Sequence, residues 1–466
     1  MAQLGRSRRG RQAPQLWLAL ALSVAAALAA GGCAASNPAA RASVSPPATA
    51  AAGQASATPS AMGGSASPRG TECPAIPAVS PQGPAAKIQV LREGGPGTPK
   101  VSAVVYPRPS YTGRLWSQWG QGVVLEDGRF LSALGDHQGV DGNAFLFVYE
   151  PDRGQLTRFA DVLSLVDHDA GAFGYGKIHA PMVQVACDSV VFATYWGTRT
   201  DLKYGGSYTG DRLFSLNPST LQVTDLGVPV PEHGIPSLAG HGGLVYGEAV
   251  DPRGRPAGES GDVGDFFVFD PARRTVVYRA GDERHIGFRM MAVDAQGRAY
   301  LAMTGHGLLR YEPGGKLVVH GAALPDGWLR ASTAPAADGT VYGVTTQPER
   351  YVAIRPDGRV DDLGPAEGYI ASIALTPSGD ELLAVPGAHG DSWRSGAPLV
   401  AINVATGQRR EVAKLAPLVQ QGLGLVLGGT YNLAVDPHSG RVFIGFNAGA
   451  TTDNPWGEVV LVTVEP

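Results

Sequence analysis

After residue 33 the hydrophobic positions come in short runs closed by Gly, Pro, Asp or Asn, and no long stretch repeats with a helical period. Such runs predict short β-strands joined by turns. The clearest copy of a larger unit is residues 176–223: an apolar segment, a turn, a second segment ending in VVFATYW, a Tyr- and Gly-rich polar loop, and a third segment RLFSLNP closed by STLQV. This reads as one four-stranded antiparallel unit, and versions of it recur to the C-terminus.

Seven units can be indexed by an early DG-like turn near Gly128, Ser189, Gly243, Gly297, Gly339, Gly379 and Gly440, at spacings of 40 to 61 residues. Periods of this size mark propeller blades with loop insertions. The seventh unit stops after three strands. A ring with an unfilled sheet leaves exposed edges, so the strand-like AKIQVLR, Ala86 to Arg92, is expected to supply the missing outer strand. The predicted fold is all-β, a seven-bladed β-propeller of four-stranded antiparallel blades closed by an N-terminal strand. Rings of six or eight blades and a pair of β-sandwiches are the competing arrangements. Composition agrees: 64 Gly and 36 Pro with only 17% charged residues suit many turns and little helix.

The first 32 residues stand apart. Arg6, Arg8, Arg9 and Arg11 precede an apolar run from Leu16 to Ala30, the pattern of an export signal; an uncleaved membrane anchor is the alternative. The following LAAGGC resembles the bacterial lipobox, although Ala30 stands where Leu, Val or Ile is commoner, and it implies lipidation of Cys33. Residues 33–75 are rich in Ala, Ser, Pro and Gly and read as a disordered tether, leaving 76–466 as the propeller. Removing residues 1–32, with four Arg and no acid, takes the net charge from −4 to −8. A mildly acidic body argues against a nucleic-acid partner. Cys73 and Cys187 remain as a pair in an exported chain, to be read as a disulfide or as two thiols. The expected location is the outer side of the cell membrane, attached by the N-terminal lipid alone, as a monomer.

Repeated apolar residues and turn glycines are required by the blades, so function is sought where the units differ. In a blade the second-to-third-strand loops and the connections between blades share one face. The long insertions fall there, with seven of the ten histidines, and loops on a rigid scaffold commonly carry function. Nearest the axis are expected His179, and Arg289 and Arg330 at equivalent starts of inner strands. Two such cations are explained by an anionic ligand or by buried carboxylates. His389 in PGAHGDSW and His137 beside Asp136 are further candidates. The aromatic and cationic set His137, Trp196, Arg199, Tyr208, Trp328, Trp393, Arg394 and Trp456 could bind a glycan or a partner protein. No HExxH, P-loop, CxxC or nucleotide-binding glycine motif is present. No cofactor is called for, although a divalent metal held by the loop-face histidines is an option.

With the blades and His179, Tyr195, Tyr204, Arg289 and His389 in view, the chain from about Lys87 resembles bacterial propellers related to the ulvan lyases and, more distantly, the oligogalacturonate lyases. The resemblance covers the scaffold and matches residue types without a diagnostic motif. It implies β-elimination from a uronic-acid glycan, with His179 as base, Tyr195 or Tyr204 as acid, Arg289 and Arg330 on the carboxylate, and His389 nearby. The other expectation is a surface-tethered propeller that binds a carbohydrate or another extracytoplasmic ligand without catalysis.

Overall fold

The computed structural model describes Cys73 and residues 79–110, 116–196, 208–251, 264–281, 291–303, 307–325 and 327–466. The described strands form seven antiparallel sheets in chain order. Blade 1 contains Val123–Val124, Phe130–Gly135, Ala144–Glu150 and Gln155–Asp161, and blade 2 contains Val183–Ala186, Ser189–Ala193, Leu213–Leu216 and Val223–Gly227. Blades 3, 4, 5 and 6 begin with Gly234–His241, Met291–Val293, Trp328–Ser332 and Ile373–Leu375. Blade 7 is built from Val426–Val435, Val442–Gly449 and Glu458–Glu465. The chain is thus a seven-bladed propeller whose sheets have four or five strands. Of the seven early turns, six carry a glycine at positive φ, from 73° at Gly440 to 82° at Gly339, where a Cβ would be strained.

Closure differs in detail from the expectation. The fourth strand of blade 7 is Lys100–Val105, which pairs from Lys100 against Glu465 to Val105 against Val460. Ala86–Arg92 is divided between two blades: Ala85–Lys87 is the fifth strand of blade 1, and Gln89–Arg92 lies outside Lys100–Val105 in blade 7. Burial explains the order. Val101 and Ala103 are fully buried in the core between blades 6 and 7, whereas Gln89 and Val90 face solvent. The N-terminal arm therefore fastens the first blade to the last.

The core lies between adjacent blades. Leu146 and Val148 of blade 1 pack with Val190 and Phe192 of blade 2, and Leu383 and Leu399 of blade 6 pack with Ile444 and Val462 of blade 7. A polar device recurs beside these contacts. Arg129 Nε donates to Asp127 in its own early turn (2.7 Å), and its Nη2 donates to the Pro218 carbonyl in the late turn of blade 2 (2.9 Å). Arg298 likewise donates to Asp294 (2.6 Å) and to the Pro356 carbonyl of blade 5 (2.5 Å). Cys73 is disulfide-bonded to Cys187 at the early turn of blade 2, with Cα atoms 5.3 Å apart. One short helix, Ala416–Leu423, leads into blade 7 and buries Val419; its period was not recognisable in the sequence. No helix among the described residues is long and apolar enough to cross a membrane.

Candidate functional site

Two glycine-rich loops form the frame of one face. The loop after Phe130–Gly135 and the connection into blade 2 are packed backbone against backbone. A Cβ on Gly135 would stand 2.0 Å from the Gly176 carbonyl oxygen, and one on Gly174 would stand 2.3 Å from that of Gly142. Substitution at either position would force the loops apart. The buried Asp136 carboxylate ties the first loop by accepting from the backbone N–H groups of Gln138 (2.9 Å) and Asn143 (3.0 Å). Between these ties His137 is held at a left-handed φ of 61°, a conformation uncommon outside glycine, and its N–H donates to the Gly176 carbonyl (2.8 Å). Lys177 follows directly. The GDHQGVDGN loop and the Gly176–Lys177 connection thereby bring an imidazole and an ammonium near one another.

Trp119, on the approach to the inner strand of blade 1, is the hub. Its Nε1 donates to Ser117 Oγ (2.6 Å). Its ring stacks on Trp456 at 5.6 Å between centroids and 13° between planes, meets Tyr431 at 4.8 Å and His137 at 5.4 Å, and lies 6.3 Å from His389. The Lys177 ammonium sits 4.7 Å from the Trp119 centroid and 5.8 Å from that of Tyr195, within reach of cation–π attraction. Burial and the Lys177 charge push His137 down to about 3, so its imidazole is neutral at ordinary pH.

Arg330 joins this hub from blade 5. Its Nε donates to the Tyr369 hydroxyl (2.5 Å), and its guanidinium carbon lies 5.2 Å from the Tyr369 ring and 5.9 Å from the Tyr431 ring. The exposed imidazole of His389 stacks on Tyr369 (4.9 Å) and is hydrogen-bonded through Nδ1 to the Tyr431 hydroxyl (2.7 Å). Blades 1, 5, 6 and 7, with Lys177 from the connection into blade 2, therefore contribute to one aromatic and cationic rim. Trp119, Lys177, Tyr369 and Trp456 are half-buried there, so each retains surface for a ligand.

Blade 2 supplies a second, drier cluster. His179 is 1% exposed; its Nδ1 is hydrogen-bonded to the Pro236 carbonyl (3.0 Å), and its ring lies 5.0 Å from Tyr195. A ring enclosed in this way is poorly placed to meet a polymer. Tyr195 packs on Trp196 at 4.1 Å, and both are buried. The Tyr208 hydroxyl donates to Asp211 (2.7 Å), as does that of Thr194 (2.8 Å). Burial pushes Asp211 up to about 7 despite these donors, and burial together with the Asp211 charge holds Tyr208 well above its usual range.

Of the residues singled out from the sequence, the structure brings His137, His389, Arg330, Tyr195 and Trp456 into one connected set, with His179 beneath it. Trp393 lies next to that set: its Nε1 donates to the Gly390 carbonyl (3.1 Å), and a Cβ on Gly390 would lie 3.6 Å from the Trp456 indole. Arg394 covers the Trp393 ring at 4.7 Å and pairs with Asp391. Trp328 packs against Ala302 instead. Cys33, Arg199, Tyr204 and Arg289 lie outside the described residues. Trp119, Lys177, Tyr369 and Tyr431 were missed. The available signal was position, because Trp119 and Tyr369 each precede an inner strand by four residues, as does His179. Among the described residues no group of three or more His, Cys, Asp or Glu is arranged to hold a metal ion.

No family model and no curated protein matches the chain. Solved structures with a similar fold include the WD40 β-propeller domain of Doa1, with a TM-score of 0.48 and 12% identity over 76% of this chain and 94% of that one. A streptogramin B lyase gives 0.49 and 11% over 78% and 98%. A catalytically inactive virginiamycin B lyase from Staphylococcus aureus with quinupristin gives 0.48 and 9% over 78% and 99%. At these identities the likeness is one of propeller architecture.

Proposed function

We propose that this protein is an exported, lipid-anchored propeller that binds a carbohydrate on its loop-rich face, at the rim organised by Trp119. The observation that carries the reading is the half-buried Trp119–Trp456 stack, flanked by the Lys177 ammonium and the exposed His389 imidazole. Aromatic rings offer flat apolar area to the C–H faces of a sugar, while the imidazole and ammonium supply hydrogen bonds to its hydroxyls. Rings fixed by neighbouring blades lose little conformational freedom on binding, which favours affinity. Titration of the protein with a panel of soluble glycans, followed by tryptophan fluorescence, tests this. Saturable binding to at least one glycan, weakened at least tenfold by Trp456→Ala, is expected; absence of saturable binding across the panel contradicts it.

A second reading, elimination from a uronate glycan, is favoured by one contact, the His389–Tyr431 hydrogen bond beside Arg330. In this reading His389 removes the proton α to the carboxylate and a tyrosine hydroxyl protonates the departing glycosidic oxygen. The electron pair released from the C–H bond becomes the C=C bond of the unsaturated product, and cations stabilise the enolate between the two steps. Ultraviolet-absorbing products released from uronate polymers, and lost in His389→Ala, would establish it; binding without product would leave the protein a binder.

A further inference from the structure

The two indoles of the rim stack come from the first and last blades of the ring, and one strand of blade 7 meets the backbone beside both. Gln118, immediately before Trp119, has its N–H and its carbonyl taken by a single side chain. Asn447 Oδ1 accepts from the Gln118 N–H (2.7 Å), and Asn447 Nδ2 donates to the Gln118 carbonyl (2.9 Å). This is the pairing a neighbouring strand would give, supplied here by an amide that carries both an acceptor and a donor. On its other side the segment is bridged to blade 1, where the Ser117 and Gly135 N–H groups each donate to the other's carbonyl (3.1 and 3.0 Å). Beyond Trp119, Asn432 Oδ1 of blade 7 accepts from the Gly122 N–H (2.8 Å). Ser117, Gln118, Asn432 and Asn447 are all fully buried, so loss of a partner would leave a backbone group unsatisfied.

Asn447 lies in Val442–Gly449, and Gly449, two positions on, shares its face of the strand. A Cβ on Gly449 would stand 2.1 Å from the Asn454 carbonyl oxygen and 2.6 Å from the Trp456 nitrogen. The missing side chain lets the loop that carries Trp456 fold back against the strand. Trp119 and Trp456 are each half-buried, so their stack depends on where the two backbones are held. We propose that Val442–Gly449 is the positioning strand of the aromatic stack, with Asn447 the positioning residue for Trp119 and Gly449 that for Trp456. Rings set in advance lose less freedom when a ligand arrives, which favours affinity. That consequence rests on glycan binding at the rim, whereas the placement of the rings does not.

The test is fluorine NMR of the full chain labelled with fluorotryptophan, the Trp119 and Trp456 resonances being assigned by their loss in Trp119→Phe and Trp456→Phe. Asn447→Ala should displace the Trp119 resonance and Gly449→Ala the Trp456 resonance, with that of Trp328 on blade 5 unmoved. Val442→Ala removes core packing at the other end of the same strand and should leave all three resonances in place. Since Asn447 is buried and its variant could fail to fold, Gly449→Ala, beside the exposed Thr451–Asn454 turn, then carries the test alone. An unmoved Trp119 resonance in folded Asn447→Ala, an unmoved Trp456 resonance in folded Gly449→Ala, or equal displacement by Val442→Ala would each overturn the proposal. Each displaced variant should also bind the glycan found for the wild type roughly tenfold more weakly, and unchanged affinity would overturn the proposal as well. A wild type that binds no glycan contradicts the function proposed for the rim, and the resonances alone then decide the positioning.

Discussion

The Tyr431 hydroxyl lies 2.7 Å from His389 Nδ1, joining the inner strand of blade 7 to a loop of blade 6. This hydrogen bond fixes the orientation of an exposed imidazole whose other face rests on Tyr369. Tyr431→Phe keeps the ring contact with Trp119 and removes only the tie. A single neutral hydrogen bond contributes about 0.5–1.5 kcal/mol, so ligand affinity should fall by up to about tenfold with little change in unfolding temperature. Calorimetric titration of the variant against the wild type checks this.

The paired arginines between blades should contribute to stability independently. Removing Arg129 leaves the Pro218 carbonyl without its guanidinium donor, and removing Arg298 does the same at Pro356. Arg129→Ala and Arg298→Ala should each cost about 1–3 kcal/mol. Because they share no partner, the double variant should show the sum. Denaturant unfolding of the three variants measures both quantities.

Asp211 gives a pH signature. Its folded-state value of about 7 lies above the usual carboxyl range, so between about pH 4 and 7 the native state holds a proton that the unfolded chain has released. Stability from this group is complete below the unfolded value and is lost as pH rises through 7. Relative to the wild type, Asp211→Asn should therefore shift the pH dependence of the unfolding temperature over that window toward a rise with pH. His137 has the opposite sign: its folded value of about 3 makes its contribution disappear as pH falls below the ordinary imidazole range. His137→Asn should therefore lose less stability than the wild type on acidification from pH 6.5 to 4. Because the two windows overlap, thermal unfolding of the wild type and of each variant from pH 4 to 7 separates the two groups by the opposite directions of the variants' shifts.

The Cys73–Cys187 disulfide spans a sequence separation of 114 residues and holds the arm at the early turn of blade 2. Disulfides typically contribute about 2–4 kcal/mol, mainly by restricting the unfolded chain. Cys73→Ser should lower the unfolding midpoint by a corresponding amount while leaving ligand affinity unchanged, since the disulfide lies at an early turn and the rim lies on the opposite face. Unfolding and titration of the same variant test the two halves of this prediction.

The blade number was legible because every blade must repeat an apolar inner strand and a tight early turn, and Gly128, Gly297 and Gly440 mark that turn in sequence. The closing strand was less legible. Lys100–Val105 and Gln89–Arg92 are both strand-like, and only their burial against the neighbouring blade decides which lies inside. The rim was half legible: His137, Arg330, His389 and Trp456 were found as departures from the repeat. Trp119, Tyr369 and Tyr431 were not, because an aromatic residue next to a strand resembles core until its neighbours are known. His179 shows the converse error. Proximity to the axis was readable, but enclosure by Tyr195 and the Pro236 carbonyl was not.

Glycan binding at the Trp119 rim is tested most directly by one comparison, the affinity of wild type and Trp456→Ala for the tightest ligand found in a soluble glycan panel. Trp456 is half-buried and contributes an indole face to the stack, so its loss should weaken binding at least tenfold without unfolding the propeller. Equal affinity in a folded variant would contradict the account.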